Sequence, residues 1–135
     1  MLEIITQIVN TLKGDATLTA IIPATNIMVG PIDVTVEKES ELLMPQINIH
    51  MVSESSRSVP PNTRDTQIQI DIWSRDSQLE VVNAYERIMA LLTYFSADQS
   101  TAHIFWERLG SAVDQYESDR RIFHRACTFQ VWSQK

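Results

Sequence analysis

Gln46-Ile-Asn-Ile-His-Met-Val52 and, after a polar interval, Thr66-Gln-Ile-Gln-Ile-Asp-Ile-Trp73 alternate apolar and polar residues, strictly from Gln46 to Met51 and from Gln67 to Ile72. A side-chain period of two predicts a pair of half-buried strands. Ile47, Ile49 and Met51 fall on one face of the first, with Gln46, Asn48 and His50 on the other. In the second, Ile68, Ile70 and Ile72 turn inward and Gln67, Gln69, Asp71 and Trp73 outward. Between them runs Ser53 to Thr63, small and polar and carrying Pro60-Pro61, which supply no ladder donors. The reading is a hairpin whose eleven-residue connection, Ser53 to Thr63, is a mobile loop forming a protruding arm.

Toward the N-terminus, Ile4, Ile5, Ile8, Val9 and Leu12 make a helical stripe over Leu2 to Lys13, stopped at Gly14. Asp15, Leu18, Ile21 and Ile22 suggest a second short turn ending at Pro23, and Ile27 to Val29 a brief strand. Asp33 to Met44, with Glu37, Lys38, Glu39 and Glu41, has no period and a local net charge of −3, which predicts a solvated loop. Toward the C-terminus, Ser77 with Glu80 forms a capping-box pattern, and Leu79, Val82, Tyr85, Met89 and Leu92 predict a helix over Ser77 to Tyr94. Phe105 to Val113, a polar turn from Asp114 to Asp119, and Ile122 to Trp132 predict a second hairpin. The order fits an α+β fold: a mostly antiparallel sheet with two main helices packed on one face.

With 135 residues, 44% of them hydrophobic, the chain matches the size and composition of one domain, residues 1–135, with one core. No apolar run approaches a membrane span. The single cysteine, Cys127, allows no intramolecular disulfide, and the N-terminus lacks a signal-peptide order, so synthesis in the cytoplasm is expected. A net charge of −6 opposes long-range attraction to nucleic acid and anionic membranes.

Candidate chemistry is sparse. His50, His103 and His124 belong to no metal-ligand spacing, and Cys127 falls on an apolar strand face as a small hydrophobe would. Gly14, Gly30 and Gly110 are isolated and make no phosphate loop. Glu37/Glu39 and Asp114/Glu117 lie in expected solvated loops, where nothing would raise a carboxyl pKa. No catalytic residue, metal or cofactor is expected. Arg57 and Arg64 flank Pro60-Pro61 and, with Arg120-Arg121, read as rim charges for a protein partner or as solvated groups. Trp73, Trp106 and Trp132 fall opposite the main apolar alternation of their strands. They are either interface anchors for a neighbouring subunit or, with the facing inverted, core residues.

Four stretches together resemble a known family. They are the N-terminal helix running into Gly14-Asp15-Ala16-x-Leu18, the strand Pro45-Gln-Ile-Asn-Ile49, Gln69-Ile-Asp-Ile-Trp-Ser74 leading into Glu80-x-x-x-Ala84-x-x-Arg87-Ile88-x-x-Leu91-Leu92, and the closing Asp119-Arg-Arg-x-Phe-His124-x-x-x-Thr-Phe129-x-Val131. In these the chain resembles the small tail completion or tail terminator proteins of long-tailed bacteriophages. The resemblance implies a virion protein that forms a hexameric ring, caps the tail tube, ends its polymerisation and joins the tail to the head connector. DNA would pass through the lumen without specific binding. A head-closure or stopper ring at the same junction is the nearest alternative; a small enzyme or ligand-binding module is the more distant one. The expected contacts with the next subunit or the tail tube are Arg57, Pro60, Pro61, Arg64, Trp73, Trp106 and Trp132. The loop with Glu37, Lys38, Glu39 and Glu41 comes second.

Overall fold

The computed structural model describes residues 2–30, 44–57, 63–92, 98–99, 102–118 and 121–134, with side chains at 5–30, 44–52, 66–92, 112–116, 118 and 121–130. Helix α1 is Leu2–Lys13, the short α2 is Ala16–Thr19 and α3 is Gln78–Leu92; a 3-10 turn at Ala24–Asn26 precedes the first strand. The strands are β1 (Ile27–Val29), β2 (Gln46–Arg57), β3 (Thr63–Ser74), β4 (Asp98–Gln99), β5 (Ala102–Glu117) and β6 (Ile122–Gln134). They form one sheet in the order β1-β2-β3-β6-β5-β4. Only β1 and β2 pair parallel, so the fold is α+β with a mostly antiparallel sheet.

The two isoleucine runs decide which face the helices cover. Ile47, Ile49, Ile68, Ile70 and Ile72 are fully buried, and with Cys127 and Phe129 of β6 they form one cluster with α1 and α3. Burying each isoleucine contributes about 1.5–3 kcal/mol. Helix α1 supplies Ile5, Ile8, Val9 and Leu12, as its stripe predicts; the side chain of Ile4 lies outside the described residues. In α3 the stripe is displaced from expectation. Val81, Ala84, Tyr85, Ile88 and Leu92 are buried, whereas Leu79 is 67% exposed and Val82 half-buried. The helix start follows the capping pattern in part: Ser77 Oγ accepts from Glu80 N at 3.1 Å, while the Glu80 carboxylate accepts from Ser74 Oγ at 3.0 Å. That second bond anchors the helix to the end of β3, so the strand's exit sets the helix rotation.

The polar interval after Val52 corrects the sequence reading. Ser53 to Arg57 belong to β2 and Thr63 to Asp65 to β3, so much of the expected mobile loop is ladder. Thr63 also pairs with Gln134, and Gln134 with His103, so the hairpin continues into a sheet four strands wide. In β3, which is bonded on both sides, the backbone donors and acceptors of Thr63 to Asp65 are satisfied whatever the side chains prefer, and pairing with β3 holds Ser53 to Arg57 extended despite the weak strand propensity of serine. The register shift between Met51 and Ser53 ends the alternation, and Met51, expected inward, is 42% exposed. Asp114 to Glu117, expected in a turn, continue β5, and β4 has no counterpart in the sequence reading.

At the N-terminal junction, Gly14 follows α1 with its backbone close enough to Asn10 O that a Cβ would stand 3.2 Å away. The Met44-Pro45 peptide is cis, and Pro45 O accepts from Asn26 Nδ2 at 2.9 Å, tying the 3-10 turn to the start of β2. No helix among the described residues is long and apolar enough to cross a membrane.

Candidate functional site

The sheet face away from the helices carries the polar half of each alternating strand. Register places Gln46, Trp73, His124 and Gln115 in one cross-strand row, and Asn48, Asp71, Ala126 and Val113 in the next. Asp71, 5% exposed, is the hub. Its Oδ1 lies 2.8 Å from His124 Nε2, and its Oδ2 lies 3.7 Å from His50 Nδ1. Gln69 Nε2 donates to both carboxylate oxygens at 3.0 and 3.2 Å. Trp73 stacks on His124 with ring centroids 3.6 Å apart and planes 3° from parallel, and it packs with Ile122 and Met44.

A carboxylate between two imidazoles can take part in acid–base chemistry, and its described contacts here run between strands, to His50 of β2 and His124 of β6. Cys127 is buried on the opposite face, where its Sγ donates to Ile70 O at 3.5 Å. Among the described residues no three His, Cys, Asp or Glu side chains could hold a metal ion. The cluster therefore orients strands: it joins β2, β3 and β6 side by side through side chains as well as the ladder. Sequence spacing could not reveal it, because positions 50, 71 and 124 meet only through register.

Two bidentate ion pairs fix the helical layer. Arg87 of α3 donates from Nε and a terminal nitrogen to Asp15 at 2.8 and 2.6 Å, while Asp15 Oδ2 caps α2 at Leu18 N, 2.8 Å away. The Arg87 guanidinium holds the Asp15 carboxyl below the usual carboxylate range, partial burial opposes this, and the Leu18 N–H adds to it. Similarly, Arg125 of β6 clamps Asp114 of β5 at 2.6 and 2.8 Å, lowering its pKa, and lies 4.7 Å over the Tyr85 ring of α3. These residues include several of the stretches that carried the family resemblance: Asp15, Gln69, Asp71, Trp73, Ser74, Glu80, Arg87 and His124 all hold elements together.

A pH prediction follows for Asp15. Its folded-state pKa lies below the unfolded one, so the ion pair stabilises fully above about pH 4, the ordinary range of a carboxyl group, and that stabilisation is lost as pH falls through the folded value. Asp15→Asn keeps a good cap and removes the charge. Urea unfolding from pH 7 to pH 2 should show the variant less stable at neutral pH and the two proteins converging in acid; a gap that persists in acid would assign the difference to something other than the ion pair.

The expected contact residues separate in the structure. Trp73 is on the helix-free face as predicted, but it is 9% exposed and covered by its own chain, which corrects the expectation of a solvent-facing anchor. Arg57 and Arg64 close the β2–β3 ladder, opposite Thr63 and Ser56. Register sets Trp106 opposite Val131 and Trp132 opposite Phe105. The side chains of these four residues, together with Pro60, Pro61, Glu37, Lys38, Glu39 and Glu41, lie outside the described residues. A small pocket of about 200 Å³ lies between α3 and the β5–β6 hairpin, lined by residues including Gln78, Val81, Tyr116 and Phe123. Asp114, Gln115 and His124 complete its polar wall, with Asp114 held by Arg125 and His124 by Asp71.

The fold and this surface define a small α+β structural domain whose polar chemistry goes into holding its elements together. The family model of tail completion protein gp17 matches residues 6–134, and the chain belongs to that family. It is thus a structural protein of a phage tail, located in the virion. A chain from the virion of a native gene transfer agent particle shares the fold, with a TM-score of 0.70 at 12% identity over 95% of this chain and 92% of that chain. No curated protein sequence matches the chain.

Proposed function

We propose that the protein assembles into a ring, of six subunits in the family-based expectation, that caps the tail tube, ends its polymerisation and joins the tail to the head connector. Family membership over residues 6–134 carries this reading, because the match takes in every described strand, α2, α3 and most of α1. Two further features support it. A net charge of −6 per subunit disfavours adhesion of DNA moving through a lumen. A small sheet with unequal edges also suits the heterologous contacts from which closed rings are built.

Size exclusion with light scattering, on the protein alone and mixed with assembled tail tube protein, tests the reading. A ring alone or on tube ends is the expected result; a monomer that ignores the tube removes the terminator role. Arg57 and Arg64 are the proposed tube or neighbour contacts. Replacing both with glutamate should lower the yield of joined particles by tenfold or more, since each reversal turns attraction into repulsion at a partner surface. The fold should stay intact, read as an unchanged melting curve. Normal particle yield with wild-type tails would reassign the contact.

A further inference from the structure

The outer strands of the sheet are too short to cover their neighbours. β1 pairs with β2 only at Ile47, Asn48 and Ile49, while β2 runs on to Arg57. β4 pairs with β5 only at Ala102 and His103, while β5 runs on to Glu117. Among the described residues, Met51–Arg57 and Ile104–Glu117 thus present backbone edges without a strand beside them. An open edge is a template for another strand, and monomeric proteins blunt it with proline, lysine or a cover. Neither β2 nor β5 contains a proline or a lysine; each carries a register shift and a few other charged residues, Glu54 and Arg57 in β2 and Glu107, Arg108, Asp114 and Glu117 in β5.

The exposed apolar side chains follow the same division. Val29, Met51 and Val52, 57%, 42% and 50% exposed, sit at the β1–β2 edge. Val113 and Tyr116, each 53% exposed, sit on β5, and Leu79, 67% exposed, lies in the first turn of α3, whose Gln78 and Val81 share a pocket with Tyr116. These six are all the large exposed hydrophobic residues among the described side chains. Val113 lies on the helix-free face and Tyr116, opposite Phe123, on the helix side, so the β5 edge carries apolar side chains on both faces of the sheet.

We infer that the β2 edge of one copy, with Val29, Met51 and Val52, docks against the β5 edge of the next, with Val113, Tyr116 and Leu79. The occupant is a second copy of this chain because the two edges are different, terminate the same sheet at opposite sides, and each lacks a neighbouring strand among the described residues. One contact type then satisfies both edges of every subunit, head to tail. Such a heterologous contact closes into a ring when its rotation divides a full turn, and otherwise makes a filament. The inference rests on the ring reading and supplies its subunit interface.

Two double variants test it: Met51→Glu with Val52→Glu, and Val113→Glu with Tyr116→Glu. All four positions are exposed, so both proteins should keep the wild-type far-ultraviolet spectrum. Each should raise the concentration needed for ring formation, alone or on tail tubes, by tenfold or more. Mixed together, the two variants retain one intact edge each, and the expected product by light scattering is a one-to-one heterodimer that does not grow. Val52→Thr and Val113→Thr, which keep strand propensity, carry the same comparison if either double variant fails to fold.

Rings that form normally from both variants would overturn the edge assignment and leave the ring reading standing. A mixture that stays monomeric would overturn the head-to-tail arrangement. Wild-type protein that forms no ring, alone or on tubes, would overturn both.

Discussion

Phe129→Ala should lower the unfolding free energy by about 3–5 kcal/mol, the usual cost of emptying a buried aromatic site. Phe129 is fully buried near the middle of β6, between Ile68 of β3 and Arg108 of β5 in the ladder, and it packs into the cluster shared with α1 and α3. Removing it strips contacts from the sheet and from its helical cover at once. Neighbours such as Ile68 and Ile70 are held by the ladder and cannot collapse into the space. Domains of this kind are stable by about 5–15 kcal/mol, so the loss is a large share of the total. The melting temperature, read by circular dichroism, should fall by about 10–20 °C. A loss below about 1 kcal/mol would mean that the helices do not pack on this residue.

Asp71→Ala is the second large effect, expected to cost about 3 kcal/mol. The substitution leaves Gln69 Nε2 and His124 Nε2 without their acceptor at a site from which water is largely excluded. It also frees the His124 ring, so the stack against Trp73 loses its lateral constraint. The pairing, rather than burial alone, is read by a double-mutant cycle with His124→Leu. The double variant should cost less than the sum of the single ones by about 1–2 kcal/mol, since the second change removes a donor already left without its acceptor. Additive losses would show that the two side chains act independently. Because Asp71 is buried and lies outside the two proposed docking edges, the ring-forming concentration of Asp71→Ala should change little under conditions where the protein is folded.

These two residues differ in how far sequence reading reached them. Phe129 belongs to an apolar stripe of period two, and alternation is a local property: adjacent strand residues point to opposite faces whatever the partner. The same reasoning placed Ile47, Ile49, Ile68, Ile70 and Ile72 in the core, where they are. It also placed Trp73 on the helix-free face, without revealing that Met44, Ile122 and His124 cover it there. In α3 a helical stripe was evident, but apolar residues at Leu79, Val81 and Val82 allowed more than one rotation, and the Ser74–Glu80 bond at the end of β3 settles it. Ser53 to Arg57 and Thr63, expected in the loop, are ladder because pairing between β2 and β3 imposes extended backbone on side chains that favour turns; residues 58–62 lie outside the described residues.

Sequence alone determined the class of fold, the two main helices, the four long strands in outline and the inward faces of the two isoleucine strands, since each depends on the spacing of residues close in the chain. It also carried the family resemblance, because Asp15, Arg87, Asp71 and His124 lie in stretches that can be read one at a time. Tertiary structure decided which of those residues meet. Arg87 reaches Asp15 across 72 positions and His124 reaches Asp71 across 53. It also decided that β1 and β4 stop short and, among the described residues, leave two edges without a neighbouring strand. The physical reason is that hydrogen bonding between strands and packing between layers are long-range conditions: they are met by register and strand order, which no local pattern of side chains contains.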